Sequence, residues 1–417
     1  MDYAIHSIQQ ALRINPNHLY ALTSIAEFQR QRESWPELVQ TLRHHATVET
    51  DPEKQVRLHL DLASLYDAQM PDAEEAKAAY RRALEVDGEN LEALHSLERM
   101  YQNDQQWHEL IDILGRRTQL AELSEEQVIE LKLRIGQIWD ERVLDSGEAI
   151  NIYKSVLELD AHNVPALRAL EQLYEKTNQS KEYLDVLELQ LDATGDDADQ
   201  VGLYQRMASA WEERFAELDR AAECWEKIVT LDEHNLGAYR ELARLYRQEA
   251  KWDSLVDCYY RHIMATNDAA ARVDLYCARG EVYEQELNDF DRAIESFSDV
   301  LSFDPDDARA LDALGRLYEK IEEWERAIDV MSQLTQQTQD PAQQVDLQYR
   351  IGRICRRLED DEQAEERFLN ALTQNDSHVP TMEALVELYS SRGDWLKAAQ
   401  MMVRAESVTP NLLDKVR

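Results

Sequence analysis

The 417 residues carry 83 Asp+Glu against 45 Lys+Arg, a formal net charge of −38, with 44% hydrophobic residues, 11 Gly and 9 Pro. Such an acidic excess argues against a nucleic-acid surface, because phosphate binding depends on cations that displace counterions. Apolar runs reach only four residues, as at Leu19 to Leu22, which excludes a membrane span or a signal-peptide core within these residues.

Residues 1–13, with Ala4, Ile5, Ile8, Ala11 and Leu12 at helical spacing, read as an orphan second helix without its first. From residue 17 the chain repeats. The pattern A-L-x-x-L-x-x-L-Y occupies residues 93–101, 166–174, 238–246 and 310–318, with a weaker copy at 381–389. The tyrosines Tyr101, Tyr174, Tyr246, Tyr318 and Tyr389 stand 73, 72, 72 and 71 residues apart, and a degenerate copy begins at Ala21. Six residues past these anchors come Trp35, Trp107, Ser180, Trp252, Trp324 and Trp395. Between them Tyr66, Trp139, Trp211, Tyr283 and Cys355 mark an interleaved series, so the true period is half as long and alternates between shorter and slightly longer units.

Each unit reads as two helices. First helices are expected near Asn17, Asp51, Glu89, Ser124, His162, Asp197, Glu233, Asp268, Asp306, Gln339 and Ser377, giving eleven pairs over 17–409, and 410–417 reads as the start of a further first helix. Pro16, Pro52, Pro165, Pro305, Pro341, Pro380 and Pro410 fall at starts of first helices, Pro36 and Pro71 at starts of second ones. Proline is tolerated there because its missing N–H would have no intrahelical partner. An array normally closes with polar capping elements, so the unfinished ends lead us to expect one solenoid excerpted from a longer array.

Gly280 and Tyr283, followed by Ala293, Phe297 and Pro305, then Leu314, Gly315, Tyr318, Trp324 and Ala327, resemble the tetratricopeptide repeat, whose pattern is W-x2-L-G-x2-Y, then A-x3-F, then P. Ile135, Gly136, Trp139, Ala149 and Tyr153 give a further variant. The resemblance covers essentially the whole chain and implies an all-α, right-handed superhelical solenoid of antiparallel helix pairs. The departures are the missing early tryptophan and an extra residue in the turn of several longer units. The tryptophans are expected to be core residues packed on first helices. Family members of the chaperone-binding subclass hold a terminal carboxylate with lysines and asparagines. Here Arg168 with Gln172, Arg240 with Arg244, and Asp312 with Arg316 stand in those places, so that clamp is not implied.

No phosphate-loop, dinucleotide or H-E-x-x-H signature occurs. Asp304, Asp306 and Asp307 begin like a calcium loop, but Ala308 and Arg309 stand where a ligand and the turn glycine are needed. Cys224, Cys258, Cys277 and Cys355 form no C-x-x-C pair, which excludes a zinc ribbon and suits a reducing, cytoplasmic compartment. We therefore expect no catalytic residue, cofactor or metal.

The family's inner surface, lined by first helices, holds peptide segments of partners. Phasing on Leu242 places Arg240, Arg244 and Arg247 there, and a broader cluster joins Arg309, Arg316 and Lys320 to Arg353, Arg356 and Arg357 of the next first helix. Cations gathered against an acidic background suit an acidic protein or peptide partner. Internal pairing competes with that reading, since Glu212, Glu213, Glu281 and Glu284 project near Arg244, while Glu319, Glu383 and Glu387 relieve only part of the second cluster. The expectation is a non-catalytic scaffold that binds neither nucleic acid nor membrane. The alternatives are a regulatory or targeting arm of a larger enzyme and, further off, an RNA-binding solenoid of the pentatricopeptide kind.

Overall fold

The computed structural model describes residues 2–408, with side chains from Ile5 onward, and the expected helix start at 410–417, with Pro410, lies outside them. The chain divides into two compact units, Met1–Asp199 and Gln200–Arg417. In the first, α1 (Asp2–Ile14) precedes five pairs: α2 (Leu19–Gln31) with α3 (Trp35–Val48), α4 (Pro52–Ala68) with α5 (Ala73–Val86), α6 (Leu91–Asn103) with α7 (Trp107–Arg117), α8 (Glu125–Ile138) with α9 (Ser146–Leu157), and α10 (Val164–Lys176) with α11 (Ser180–Ala193). From α12 (Asp197–Ala210), which starts just before the division and pairs with α13 (Leu218–Leu231), the second continues with α14 (Leu236–Gln248) and α15 (Trp252–Ala265), α16 (Ala269–Gln285) and α17 (Phe290–Phe303), α18 (Ala308–Lys320) and α19 (Trp324–Gln337), α20 (Pro341–Arg357) and α21 (Asp361–Gln374), and α22 (Val379–Arg392) and α23 (Trp395–Val408). No strand occurs among the described residues.

Capping side chains set the first helices. Asp51, Asn90, Asn163, Asn235, Asp268, Asp307 and Asp340 each accept a hydrogen bond from a backbone N–H two or three residues on, and Ser124 forms a full capping box with Gln127. Pro52 and Pro341 open their helices, and Pro36, Pro165 and Pro380 come second. Pro16, Pro71 and Pro305 instead lie in the turns just before a helix, where a fixed φ serves equally well.

Turns within pairs share one backbone device. Four residues past the anchor positions, Glu33, Gln105, Asn178, Ala250 and Glu322 take φ between 55° and 63°, and Gly393 takes 79° in the last copy. The left-handed conformation reverses the chain, at a steric cost that only Gly393 avoids. The longer units spend their extra length in a way the sequence did not show. Their first helices α4, α16 and α20 run 17 residues against 13 in α6, α14 and α18. An extra turn residue appears only after α4 and α16, where 69–72 and 286–289 link the pair. After α8 and α12 the addition becomes π-helical turns at Trp139–Val143 and Trp211–Phe215, each closed by a left-handed residue, Leu144 or Ala216.

Packing within pairs sets a small residue on the first helix against a large one on the second. A Cβ on Gly136 would stand 2.7 Å from the Tyr153 ring, on Gly280 2.8 Å from Phe297, and on Gly352 2.6 Å from Phe368. These rings, with Leu94, Leu97, Leu114, Leu242, Leu314 and Ile351, lie in apolar cores that run from pair to pair within each unit. Trp35, Trp107, Trp252 and Trp324 open second helices and are half-buried against those cores. Trp395 departs from the expected pattern and is 70% exposed. Its counterparts Trp107 and Trp324 are covered by the next first-helix segment, and among the described residues none follows α23.

Candidate partner-binding face of the first helices

An acid sits at one recurring place near the end of the long first-helix segments: Asp67, Asp140, Glu212 and Glu284. Each bonds a cation on the next first helix, Asp67 to Arg99, Asp140 to Lys176 at 3.0 Å, Glu212 to Arg244 at 2.7 Å, and Glu284 to Arg316 at 2.9 Å. This series corrects the view of Arg244 and Arg316 as open groove cations, because both tie neighbouring repeats together. Arg244 is also bonded by Glu241 at 2.8 Å, and chiefly through Glu212 its proton affinity is raised above the ordinary guanidinium value.

The remaining sequence candidates divide by their surroundings. Arg309 bonds Asp274 and Asp307, each at 3.0 Å. Arg247 donates to the Tyr259 hydroxyl at 2.7 Å. Arg356 turns to Asp361 at the start of α21, which also accepts from Arg392. Lys320 lies 4.1 Å from the Phe290 ring centroid, Arg357 5.0 Å from that of Trp324, and Arg353 5.9 Å from that of Tyr349. Exposed Arg240 has no ion-pair partner among the described residues, and neither do Lys320, Arg353 and Arg357. The six cations of the broader cluster therefore do not meet at one site. Half of them are neutralised: Asp274 and Glu284 reach Arg309 and Arg316 from α16, while Asp307, Asp312 and Asp361 lie within five residues of the arginines they bond.

Arg353 and Arg357 do come together. With Glu319, Trp324, Arg350 and Ile354 they line an open pocket of about 260 Å³ between α18, α19 and α20. Arg350, which sequence reasoning missed, is only 19% exposed and is gripped by Glu319 at 2.8 Å, with Asp312 at 3.7 Å and Asp346 at 3.9 Å. Burial alone would lower its proton affinity, but the surrounding carboxylates, Glu319 foremost, outweigh that and raise it. Its spacing of 31 residues from Glu319 resembles that of the other inter-repeat pairs and was a readable signal. Arg350 and Glu319 cancel in charge, so the pocket's surplus is carried by Arg353 and Arg357.

Among the described residues no group of three or more His, Cys, Asp or Glu is placed to hold a metal. Asp307 is committed to capping α18, accepting from the N–H groups of Arg309 and Ala310. The four cysteines are buried, and burial pushes Cys277 up to about 11 and Cys258 up to about 12, which suppresses the nucleophilic thiolate. No described helix is long and apolar enough to cross a membrane.

Stacked helix pairs of this geometry define an all-α repeat solenoid. The tetratricopeptide repeat family matches at residues 56–90 and again at 285–351. The chain therefore contains tetratricopeptide repeats. Its fold is similar to that of YrrB, described as a TPR protein with an unusual peptide-binding site (19% identity over 48% of this chain and 96% of that one, TM-score 0.32). Similarity also extends to Naa15/Naa10 bound to HypK-THB (14% identity, 98% and 68% coverage, TM-score 0.31) and to the APC/C hetero-tetramer Cut9-Hcn1 (14% identity, 98% and 90% coverage, TM-score 0.29). No curated protein sequence matches the chain.

Proposed function

We propose that this protein is a non-catalytic interaction scaffold that captures an acidic segment of a partner protein on the first-helix face of its second unit. The tetratricopeptide repeats support a protein-interaction scaffold, and one observation carries the finer reading. In a chain of net charge −38, Arg353 and Arg357 line an open pocket without an ion-pair partner among the described residues, while Arg309, Arg316, Arg350 and Arg356 are bonded internally. Two guanidinium groups without an ion pair suit an anion delivered from outside. Lys320, the last residue of α18, lies over the Phe290 ring and adds a third cation on the same chain region.

A fluorescein-labelled glutamate-rich peptide tests this by anisotropy. Reversing both charges, Arg353→Glu with Arg357→Glu, is expected to weaken binding by ~10-fold or more, the scale of one or two charge-assisted contacts, with helicity unchanged. Equal affinity of parent and double variant overturns the site. Binding to the parent should also weaken as salt rises, because charge steering is screened over about 8 Å at physiological ionic strength.

A further inference from the structure

The pocket beside Trp324 has a counterpart in the first unit. There Gln102, Trp107, Arg134, Gln137, Ile138 and Glu141 line an open pocket, with Arg142 beside them 5.5 Å from the Trp107 ring centroid. Aligned on the crossing glycines Gly136 and Gly352, the first-helix residues of the two pockets correspond position by position, apart from Arg142, whose place holds Leu358. Trp107 matches Trp324, Arg134 matches Arg350 and Ile138 matches Ile354, while Gln137 and Glu141 stand where Arg353 and Arg357 stand. In the other long first-helix segments these two places hold Ser64 and Ala68, Ser209 and Glu213, and Glu281 and Gln285. The frame recurs, and the paired guanidinium groups belong to α20 alone.

Resting on the proposal above and narrowing it, we infer that the Trp324 pocket recognises a phosphorylated serine or threonine side chain of the partner. Three features select phosphate over a carboxylate. The pocket's surplus of two positive charges matches the −1.5 to −2 of a phosphomonoester at neutral pH, where a single carboxylate would leave one guanidinium unmatched. Arg353 and Arg357 are one turn apart on α20, so two planar forks can each take oxygens from one group, and phosphate offers three terminal oxygens against two. The volume of about 260 Å³ suits one side chain rather than a run of residues, with Ile354 and the Trp324 indole as its apolar wall. Each guanidinium rests near an aromatic ring, Tyr349 for Arg353 and Trp324 for Arg357, which holds the forks without consuming their N–H donors.

The test compares three otherwise identical labelled peptides carrying phosphoserine, glutamate or serine at one central position. Each is titrated into the parent chain, into Arg353→Gln, which installs the residue that the Trp107 pocket holds, and into the double charge reversal. The inference expects the phosphoserine peptide to bind the parent at least ~10-fold more tightly than the glutamate peptide, with that advantage lost in Arg353→Gln while helicity is kept. Inorganic phosphate should compete only weakly, since it lacks the peptide's apolar contacts. If phosphoserine holds no advantage, or keeps it in Arg353→Gln, the inference fails, and the acidic-segment reading survives provided that glutamate binding is lost in the double reversal. If neither anionic peptide binds the parent, both readings fall. Competition by inorganic phosphate as strong as by the phosphopeptide would overturn recognition of a side chain in favour of a simple anion site.

Discussion

Gly352 of α20 faces the ring of Phe368 on α21 so closely that a Cβ on the glycine would lie 2.6 Å from Cε1 and 2.7 Å from Cδ1. Glycine is a poor helix former, and its presence in the middle of a 17-residue helix is explained by this approach. Gly315 has a softer neighbour, since its Cβ would meet the flexible Met331 side chain at 3.1 Å.

Leucine at Gly352 should therefore destabilise the α20–α21 pair by about 1–3 kcal/mol through overpacking, despite the gain in helix propensity. Gly315→Leu should cost less, because Met331 can change rotamer where a buried ring cannot. Hydrogen exchange read at these helices separates the two, as stability in a repeat array is local. Equal loss of protection in both variants would refute the ranking.

Ala250 takes φ 55° in the turn between α14 and α15, the place that Gly393 fills in the last pair. An alanine there bears a left-handed cost on the order of 1 kcal/mol, partly offset in Ala250→Gly by the greater freedom of the unfolded chain. The glycine variant is expected to match or exceed the parent in protection of α14 and α15, and a loss above about 1 kcal/mol would contradict the steric account. Most other substitutions at this turn should be near neutral, since Glu33, Gln105, Asn178 and Glu322 already occupy it elsewhere.

Glu226 of α13 accepts from the Tyr246 hydroxyl at 2.8 Å and from both terminal nitrogens of Arg261 at 2.7 and 2.8 Å. Burial pushes its carboxyl pKa up, but Arg261 and Tyr246 outweigh this and hold it below the ordinary value. A lowered folded-state pKa contributes stability that is complete above the unfolded value of about 4.3 and is lost as pH falls through the folded one. Protection of α13 to α15 should fall in that acid window, and Glu226→Gln should remove most of the pH dependence while lowering protection at neutral pH. An unchanged acid profile in the variant would assign the transition to other carboxylates.

Much of this architecture is legible in one dimension because a tetratricopeptide array is built from short-range rules. The anchors from Tyr101 to Tyr389 recur at nearly constant distances, prolines and capping side chains mark the helix starts, and each pair contacts its neighbours in sequence, so periodicity fixes the pairing of helices. The crossing glycines were equally readable, since Gly136 and Gly280 precede their ring partners by 17 residues and Gly352 by 16. The partners of charged side chains were not. Arg244 and Arg316 share the helical face expected of them, yet whether a cation on that face is open depends on a carboxylate some thirty residues away and on the rotamers that let the two meet. One turn separates Arg353 from Arg357 and Arg356 directly precedes Arg357, but Arg356 leans on Asp361 while the other two line the Trp324 pocket. Helical spacing determined which residues share a surface, and only the packing of successive repeats decided which of their charges were already neutralised, because ion pairing acts over a few ångströms between helices that the sequence places a full repeat apart.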